Sequence, residues 1–335
     1  MSVISNVTQG KVADMKHSCE RPRHSAEWRL LCAAPAILLS AMLVTVAFSW
    51  LRPYTLLPVA AWLLLVPVLL LIRPIERLAV GTAYRFEIPT GRDAEWLTWL
   101  QQRTENRCGV AADRLDWYVR TDPTPNAFAV GLRSITVTTG FLHLLESGRL
   151  TPEQAVAVAM HEVGHHITRG PRYGLIINWL TLPWQILYRA AIRIGHRLPL
   201  SRAGTLLMPI VSVVAIVDLV REDRPPQHVV PVLITLITVA IAVMASPVAD
   251  AAACRAGERA ADSYAAGLGA GPDLARALDQ VAPCYAGTLL EMPLSSHPAT
   301  AARQLRLSSA PAGLAHAGPY QADLATADGS ALTKE

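Results

Sequence analysis

Residues 151–170 read Thr151-Pro152-Glu153-Gln154-Ala155-Val156-Ala157-Val158-Ala159-Met160-His161-Glu162-Val163-Gly164-His165-His166-Ile167-Thr168-Arg169-Gly170. Thr151 is a good N-cap, Pro152 suits the first helical position, and Gln154 completes a capping box, so the spacing predicts a helix beginning at Thr151. His161-Glu162-Val163-Gly164-His165 falls within that helix. Side chains four apart share a helix face, so His161 and His165 can offer two imidazole nitrogens to one Zn²⁺, with Glu162 placed to accept a proton from a water at that metal. His166 is turned by about 100° from His165 and is read as a neighbour, not a ligand.

Two histidines do not complete a catalytic zinc site, which needs a third protein ligand and an open position. Glu258-Arg259-Ala260-Ala261-Asp262 lies in a stretch of good helix formers and puts two carboxylates four apart on one face. Glu258 can ligate while Asp262 orients a ligating histidine. The same pair also reads as a solvated face matched to Arg255 or Arg259.

The surroundings of these motifs are apolar. Of 335 residues, 52% are hydrophobic and 17% charged, against roughly 25% charged in soluble chains, and the mean hydropathy is +0.30. This excludes disorder as the main state. The 20 Gly and 24 Pro follow no repeat, which excludes a collagen-like chain. A net charge of +4 without a basic block argues against nucleic acid as a partner. Five cysteines without a CxxC pair suggest neither a disulfide framework nor a cysteine zinc site. The polar and charged residues ahead of Leu30 argue against a cleaved signal peptide.

Residues Leu30 to Leu51 and Pro53 to Ile72 carry no charge and are separated only by Arg52. Each run has the length of a bilayer-spanning helix, and together they read as a hairpin. Lys11, Lys16, Arg21, Arg23 and Arg29 precede it, and Arg73, Arg77 and Arg85 follow it, which places both flanks in the cytoplasm. Three more apolar stretches follow: Tyr173 to Ala191, Ala203 to Val217 and Pro225 to Ala249. The first of them, with Asn178, Pro183, Gln185 and Arg189, reads as amphipathic and interfacial. Between these blocks Asp93 to Arg107 has helical spacing of Trp96, Leu97 and Leu100, while Trp117-Tyr118-Val119 and Ser134 to Thr138 read as strands. A short helix is expected at Phe141 to Leu145.

Several separated motifs recur in one order: Pro125-Asn126-Ala127-Phe128-Ala129, the strand Ile135 to Thr138 leading into Gly140-Phe141-Leu142, the HExxH helix, Glu258 to Asp262, and Ser296-His297-Pro298 with Arg303 beyond it. In this the chain resembles the HtpX-like membrane zinc metallopeptidases, related to the CaaX prenyl proteases, from about Asp93 to Leu307 and in the preceding hairpin. It departs at Gly170, where the family pattern often has an aspartate. The resemblance implies one zinc per chain on His161, His165 and Glu258. It gives Glu162 as general acid/base, Asp262 as a supporting residue, and His297 as a group near the site that steadies the tetrahedral intermediate. It implies further that an exposed strand beside the zinc receives the substrate as an added strand, and that the substrates are membrane or misfolded proteins.

The expected fold class is an α-helical integral membrane protein with an α+β zincin-like catalytic domain, with about four transmembrane helices and one interfacial or re-entrant segment. The expected divisions are a cytoplasmic segment 1–29, a membrane hairpin 30–73, catalytic region 74–170, an inserted membrane region 171–250, catalytic region 251–307, and a disordered tail 308–335. The expected activity is zinc-dependent endopeptidase action at the cytoplasmic face of the cell membrane, in a multi-pass protein. The rivals are a signal-transducing metalloprotease of the antibiotic-sensor type, which needs an external sensor domain, and a non-catalytic zinc-binding membrane scaffold.

If His161, His165 and Glu258 hold one metal, the chain between them must cross the bilayer an even number of times, although three apolar stretches are present. Arg189, Arg193, Arg197 and Arg202 follow the first stretch, whereas Arg221-Glu222-Asp223-Arg224 after the second sums to zero. Positive-inside placement then makes 203–220 and 225–249 the hairpin, the alternative being that 173–191 spans and 203–220 does not. A cysteine placed by Asp223→Cys is expected to react with an impermeant thiol reagent on intact cells. Reaction only after permeabilisation would exclude both arrangements, each of which puts position 223 outside.

Overall fold

A computed structural model describes residues 25–197 apart from positions 112, 170 and 172, then 246–281 and 300–309, with isolated positions between 230 and 241. The expected hairpin over 203–249 and the terminal tail lie largely outside the described residues, and His297 lies wholly outside them.

Charge-free sequence gives helix first. Helix α1 runs Ser25–Ala47 and tolerates Pro35 within it. A 3-10 turn over Ser49–Leu51 follows, and α2 then spans Leu56–Leu69 with a π-turn at Ala61–Leu65. At 1.5 Å per residue α2 is roughly 21 Å long, short of a full hydrocarbon thickness of about 30 Å. The second apolar run is thus shorter as a helix than its charge-free length implies, because turns around Pro53 consume its start. Among the described residues, only Glu27–Ala47 is by itself long and apolar enough to cross a membrane. Helix α2 reaches that length only together with α3, Arg73–Tyr84, from which it is bent by 104°.

Helix α4, Gly91–Cys108, opens the catalytic region and buries Leu97 and Leu100. Three strands follow: β1, Asp116–Arg120; β2, Ala127–Val130; and β3, Ser134–Thr138. They form one sheet in the order β1-β3-β2, with β1 parallel and β2 antiparallel to β3, so that Ala129 stands opposite Ile135. The outer side of β1 is met by a single bridge from Glu87 to Val119, and β2 forms the other edge. Helices α5, Thr139–Glu146, and α6, Pro152–Ile167, come next. The capping box is present as the spacing predicts: Thr151 Oγ1 accepts from the Gln154 N–H at 3.3 Å, and Gln154 Oε1 accepts from the Thr151 N–H at 2.9 Å. Helix α7, Gly174–Arg197, leads away from the catalytic region. Helices α8, Ser246–Gly267, α9, Gly271–Val281, and α10, Thr300–Ser309, bring the chain back.

The core lies around α6, which is buried from Gln154 to Gly164. Leu100 of α4, Ile135 and Val137 of β3, Phe141 of α5 and Leu274 of α9 surround Met160 and Val163. Two polar ties connect this core to α3. Arg73 and Arg77 of α3 both bind the Asp116 carboxylate at the start of β1. Glu76, fully buried on the same helix, accepts the N–H groups of Leu132 and Arg133 in the β2–β3 turn. Gly131 in that turn has φ of +65°, and a Cβ there would collide with the Glu76 carboxylate, so only glycine serves.

Helices α6 and α8 cross closely at Gly164. A Cβ at this position would lie 3.1 Å from the Cα and carbonyl oxygen of Ala261 and 3.0 Å from the Tyr264 ring. Gly164→Val should therefore force the helices apart and destabilise the protein by about 1–3 kcal/mol. It should also weaken zinc binding without touching a ligand. Thermal unfolding and a zinc titration check both, and an unchanged zinc affinity would show that this crossing does not set the ligand spacing.

Candidate metal centre

The helix cap fixes where α6 begins, and its packing fixes which way its last turns face. His161 and His165 stand one turn apart with ring centroids 4.7 Å apart and ring planes at 80°. Helix α8 crosses them and presents Glu258, whose Oε2 lies 3.4 Å from His161 Nε2 and whose Oε1 lies 3.5 Å from His165 Nε2. These gaps exceed an ordinary hydrogen bond, usually about 2.7–3.2 Å. Each gap, to a different oxygen of Glu258, is close to the roughly 3.4 Å that separates two ligands of a tetrahedral zinc ion with bonds of about 2.0–2.1 Å. One ligand atom from each of the three residues lies within 4.8 Å of the others, and no other such cluster occurs among the described residues. Two imidazoles and one carboxylate are also the donor types zinc takes.

Asp262, one turn beyond Glu258, places Oδ1 3.1 Å from His161 Nδ1. That contact turns the ring so that Nε2 faces Glu258 and His165, the arrangement expected of a carboxylate supporting a metal-bound histidine. Arg303 enters from α10 and grips Asp262 with two bonds, Nε to Oδ2 at 3.0 Å and Nη2 to Oδ1 at 2.7 Å. Its Nη1 also lies 3.2 Å from Glu258 Oε2. All five of His161, Glu162, Glu258, Asp262 and Arg303 are buried. Glu258 and Asp262 are therefore not a solvated face. Arg303 was legible in the sequence only as part of a motif, and its fork on two site carboxylates is new. The signal that could have found it is general, since a buried arginine requires carboxylate partners.

Burial is the largest influence on Glu162 and pushes its carboxyl above the usual range, against the pull of His161 and His165 and of a hydrogen bond from the Ala129 N–H. That bond puts the edge of β2 directly beside Glu162. His166 points elsewhere: its Nε2 lies 3.0 Å from the Ser134 carbonyl oxygen, and burial lowers its pKa to about 4. It is a structural neighbour, as its position on the helix predicts.

A model of peptidase family M48 matches residues 92–310. No curated protein matches the sequence. Among solved structures, the crystal structure of S. mikatae Ste24p is similar with a TM-score of 0.39 and 18% identity over 82% of this chain. The chain spans 62% of the length of that protein.

His161 responds to its neighbours in a way that can be measured. Burial disfavours its charge, but Asp262, Glu258 and Glu162 together outweigh burial and raise its pKa to about 9. Zinc requires the neutral ring, so below pH 9 the ion must displace a proton. Apparent zinc affinity should fall by about tenfold per unit of acidification from pH 8 to pH 6. Calorimetric titrations in two buffers of different ionisation enthalpy should report about one proton released per ion. Binding independent of pH and buffer would contradict this electrostatic picture.

Proposed function

The chain belongs to peptidase family M48, a family of zinc metallopeptidases, and from that premise we propose that it is a membrane-bound zinc endopeptidase cutting membrane or misfolded proteins at the cytoplasmic face. The observation that carries this reading is the convergence of His161, His165 and Glu258, one ligand atom of each within 4.8 Å of the others, with Glu162 buried at the edge of β2. A zinc ion held there supplies Lewis acidity to a scissile carbonyl and to the attacking water.

The protein's own groups do the rest. Asp262 orients His161, and Arg303 fixes Asp262 and offsets the charge of Glu258. A substrate chain lying along β2 brings its carbonyl to the centre and displaces the Ala129 N–H from Glu162. Glu162 then takes a proton from the attacking water and passes it to the leaving amine. A carboxyl with a raised pKa suits both halves of that transfer, because it takes a proton more readily than an ordinary carboxylate and, still far more acidic than an ammonium group, gives it up to the leaving amine. His297, in the role of steadying the intermediate, belongs to this proposal on the resemblance alone.

The membrane arrangement follows the same reading. Helix α7 packs against α1, where Trp184 N–H donates to Ser40 Oγ at 3.1 Å, and against α2, where Trp179 Nε1–H donates to the Trp62 carbonyl at 3.1 Å. Such contacts on both membrane helices support the arrangement in which 173–191 enters the bilayer. The catalytic regions 74–170 and 251–307 then meet outside it, and the apolar stretches between them form the inserted membrane region.

Glu162→Gln is expected to retain zinc in stoichiometric amount while lowering casein hydrolysis in detergent by about 10²–10⁴-fold, and His165→Ala to lose both metal and activity. Full hydrolysis by the glutamine variant would remove Glu162 from the mechanism. Stoichiometric zinc with no cleavage by the wild type would favour a scaffold.

A further inference from the structure

Helix α7 is built inside out. Asn178, Thr181 and Gln185 recur at helical spacing on one face, and Gln185 Nε2 donates to Thr181 Oγ1 at 2.7 Å and to Asn178 Oδ1 at 3.4 Å. Thr181 is only 5% exposed, whereas Ile186 and Leu187, turned away from the stripe, are 59% and 47% exposed. A water-facing helix has the reverse pattern. Helix α1 agrees with it: Leu31, Leu38 and Val46 face outward, and Ser40 is fully buried against α7. The polar stripe therefore faces an internal space.

That space is a cavity of about 450 Å³, within the range of roughly 300–1,000 Å³ typical of ligand sites. Its walls are Ala33 and Ala36 of α1, the Asn178, Thr181 and Gln185 stripe of α7, and the end of the substrate-side strand at Ala129, Val130 and Gly131. Arg29 and Asp250 stand at its rim, paired at 3.1 Å. The Asn178 amide hydrogens and the Tyr84 hydroxyl, both on the lining, have no hydrogen-bond partner among the described residues. Ala129 belongs to this wall and also donates its N–H to Glu162, so the cavity begins one residue from the catalytic centre.

We propose that this cavity takes the stretch of substrate polypeptide flanking the scissile bond on the Val130 side, received in extended form between α1 and α7. The inference rests on the peptidase reading above and deepens it. A chain drawn out of a membrane protein loses its helical hydrogen bonds, and each unsatisfied main-chain group near lipid costs several kcal/mol. The Asn178 amide hydrogens and the Tyr84 hydroxyl are donors for that main chain, and the alanines and glycine opposite let it approach closely. The cation at the rim is matched by Asp250, so the lining has no excess positive charge to select a phosphate headgroup. Substrates need an unpaired extended segment more than a particular side chain.

The test uses the full-length Glu162→Gln protein with the photoreactive residue p-benzoylphenylalanine at position 185, or at position 187 on the outer face. Irradiation with β-casein in phospholipid nanodiscs should give a casein adduct at 185 and none at 187. A phospholipid adduct at 185, or casein adducts equal at both positions, would overturn the proposal. Kinetics give an independent reading. Asn178→Leu combined with Gln185→Leu should raise the KM for casein about tenfold, with a smaller change in kcat, and Leu187→Ala, at a position turned away from the cavity, should stay close to the wild type. An unchanged KM in the double variant overturns the cavity assignment while leaving the peptidase reading intact. Absence of casein cleavage by the wild type overturns the peptidase reading itself, and this inference with it.

Discussion

The distance between α6 and α8 governs the rest of the site. Metal ligation tolerates deviations of about 0.2 Å, and the two helices contribute the three donor groups from opposite sides of one crossing. Gly164, between the second and third residues of the motif that matter chemically, removes the side chain that would hold Ala261 away. The glycine thus works as a spacer of zero thickness. The hydrophobic surroundings of Met160 and Val163 press α6 into place, and the crossing turns that nonspecific pressure into a defined ligand geometry.

Packing alone would leave a costly concentration of buried charge. Glu162, Glu258 and Asp262 are all out of contact with bulk water, and isolated buried carboxylates are strongly disfavoured. Arg303 offsets two of them through a planar fork matched to carboxylate geometry. The remaining imbalance raises the proton affinity of His161. Without a metal ion, these carboxylates favour the protonated His161 ring. The same carboxylates that attract the proton attract a divalent cation more strongly, so the charge pattern and the ligand spacing favour the same occupant.

Local signals made the centre of the structure readable from sequence. The capping box is complete within Thr151 to Gln154, and the i, i+4 relation of His161 and His165 needs only a helix to be realised. Strands β1 and β3 carry β-branched and aromatic residues and were equally plain. Other features depend on neighbours distant in sequence. Whether Glu258 and Asp262 face a metal or water is decided by α6, and the role of Arg303 by the docking of α10. Absence of charge marked 53–72 as a membrane segment but said nothing of the turns that shorten α2 to Leu56–Leu69. Asn178 and Gln185 looked like the wet side of an interfacial helix, because composition gives the stripe but not the direction in which it faces.

The separation of the ligands along the chain also orders events in time. Ribosomes add roughly 5–20 residues per second, and Glu258 follows His165 only after 92 intervening residues, with Arg303 later still. While the protein is being made, His161 and His165 exist without the carboxylate that completes their set and without the arginine that balances it. A nascent chain cannot complete the His161, His165 and Glu258 cluster before Glu258 has been synthesised. Dividing the cluster between two distant segments thus ties its completion to the synthesis and docking of the second.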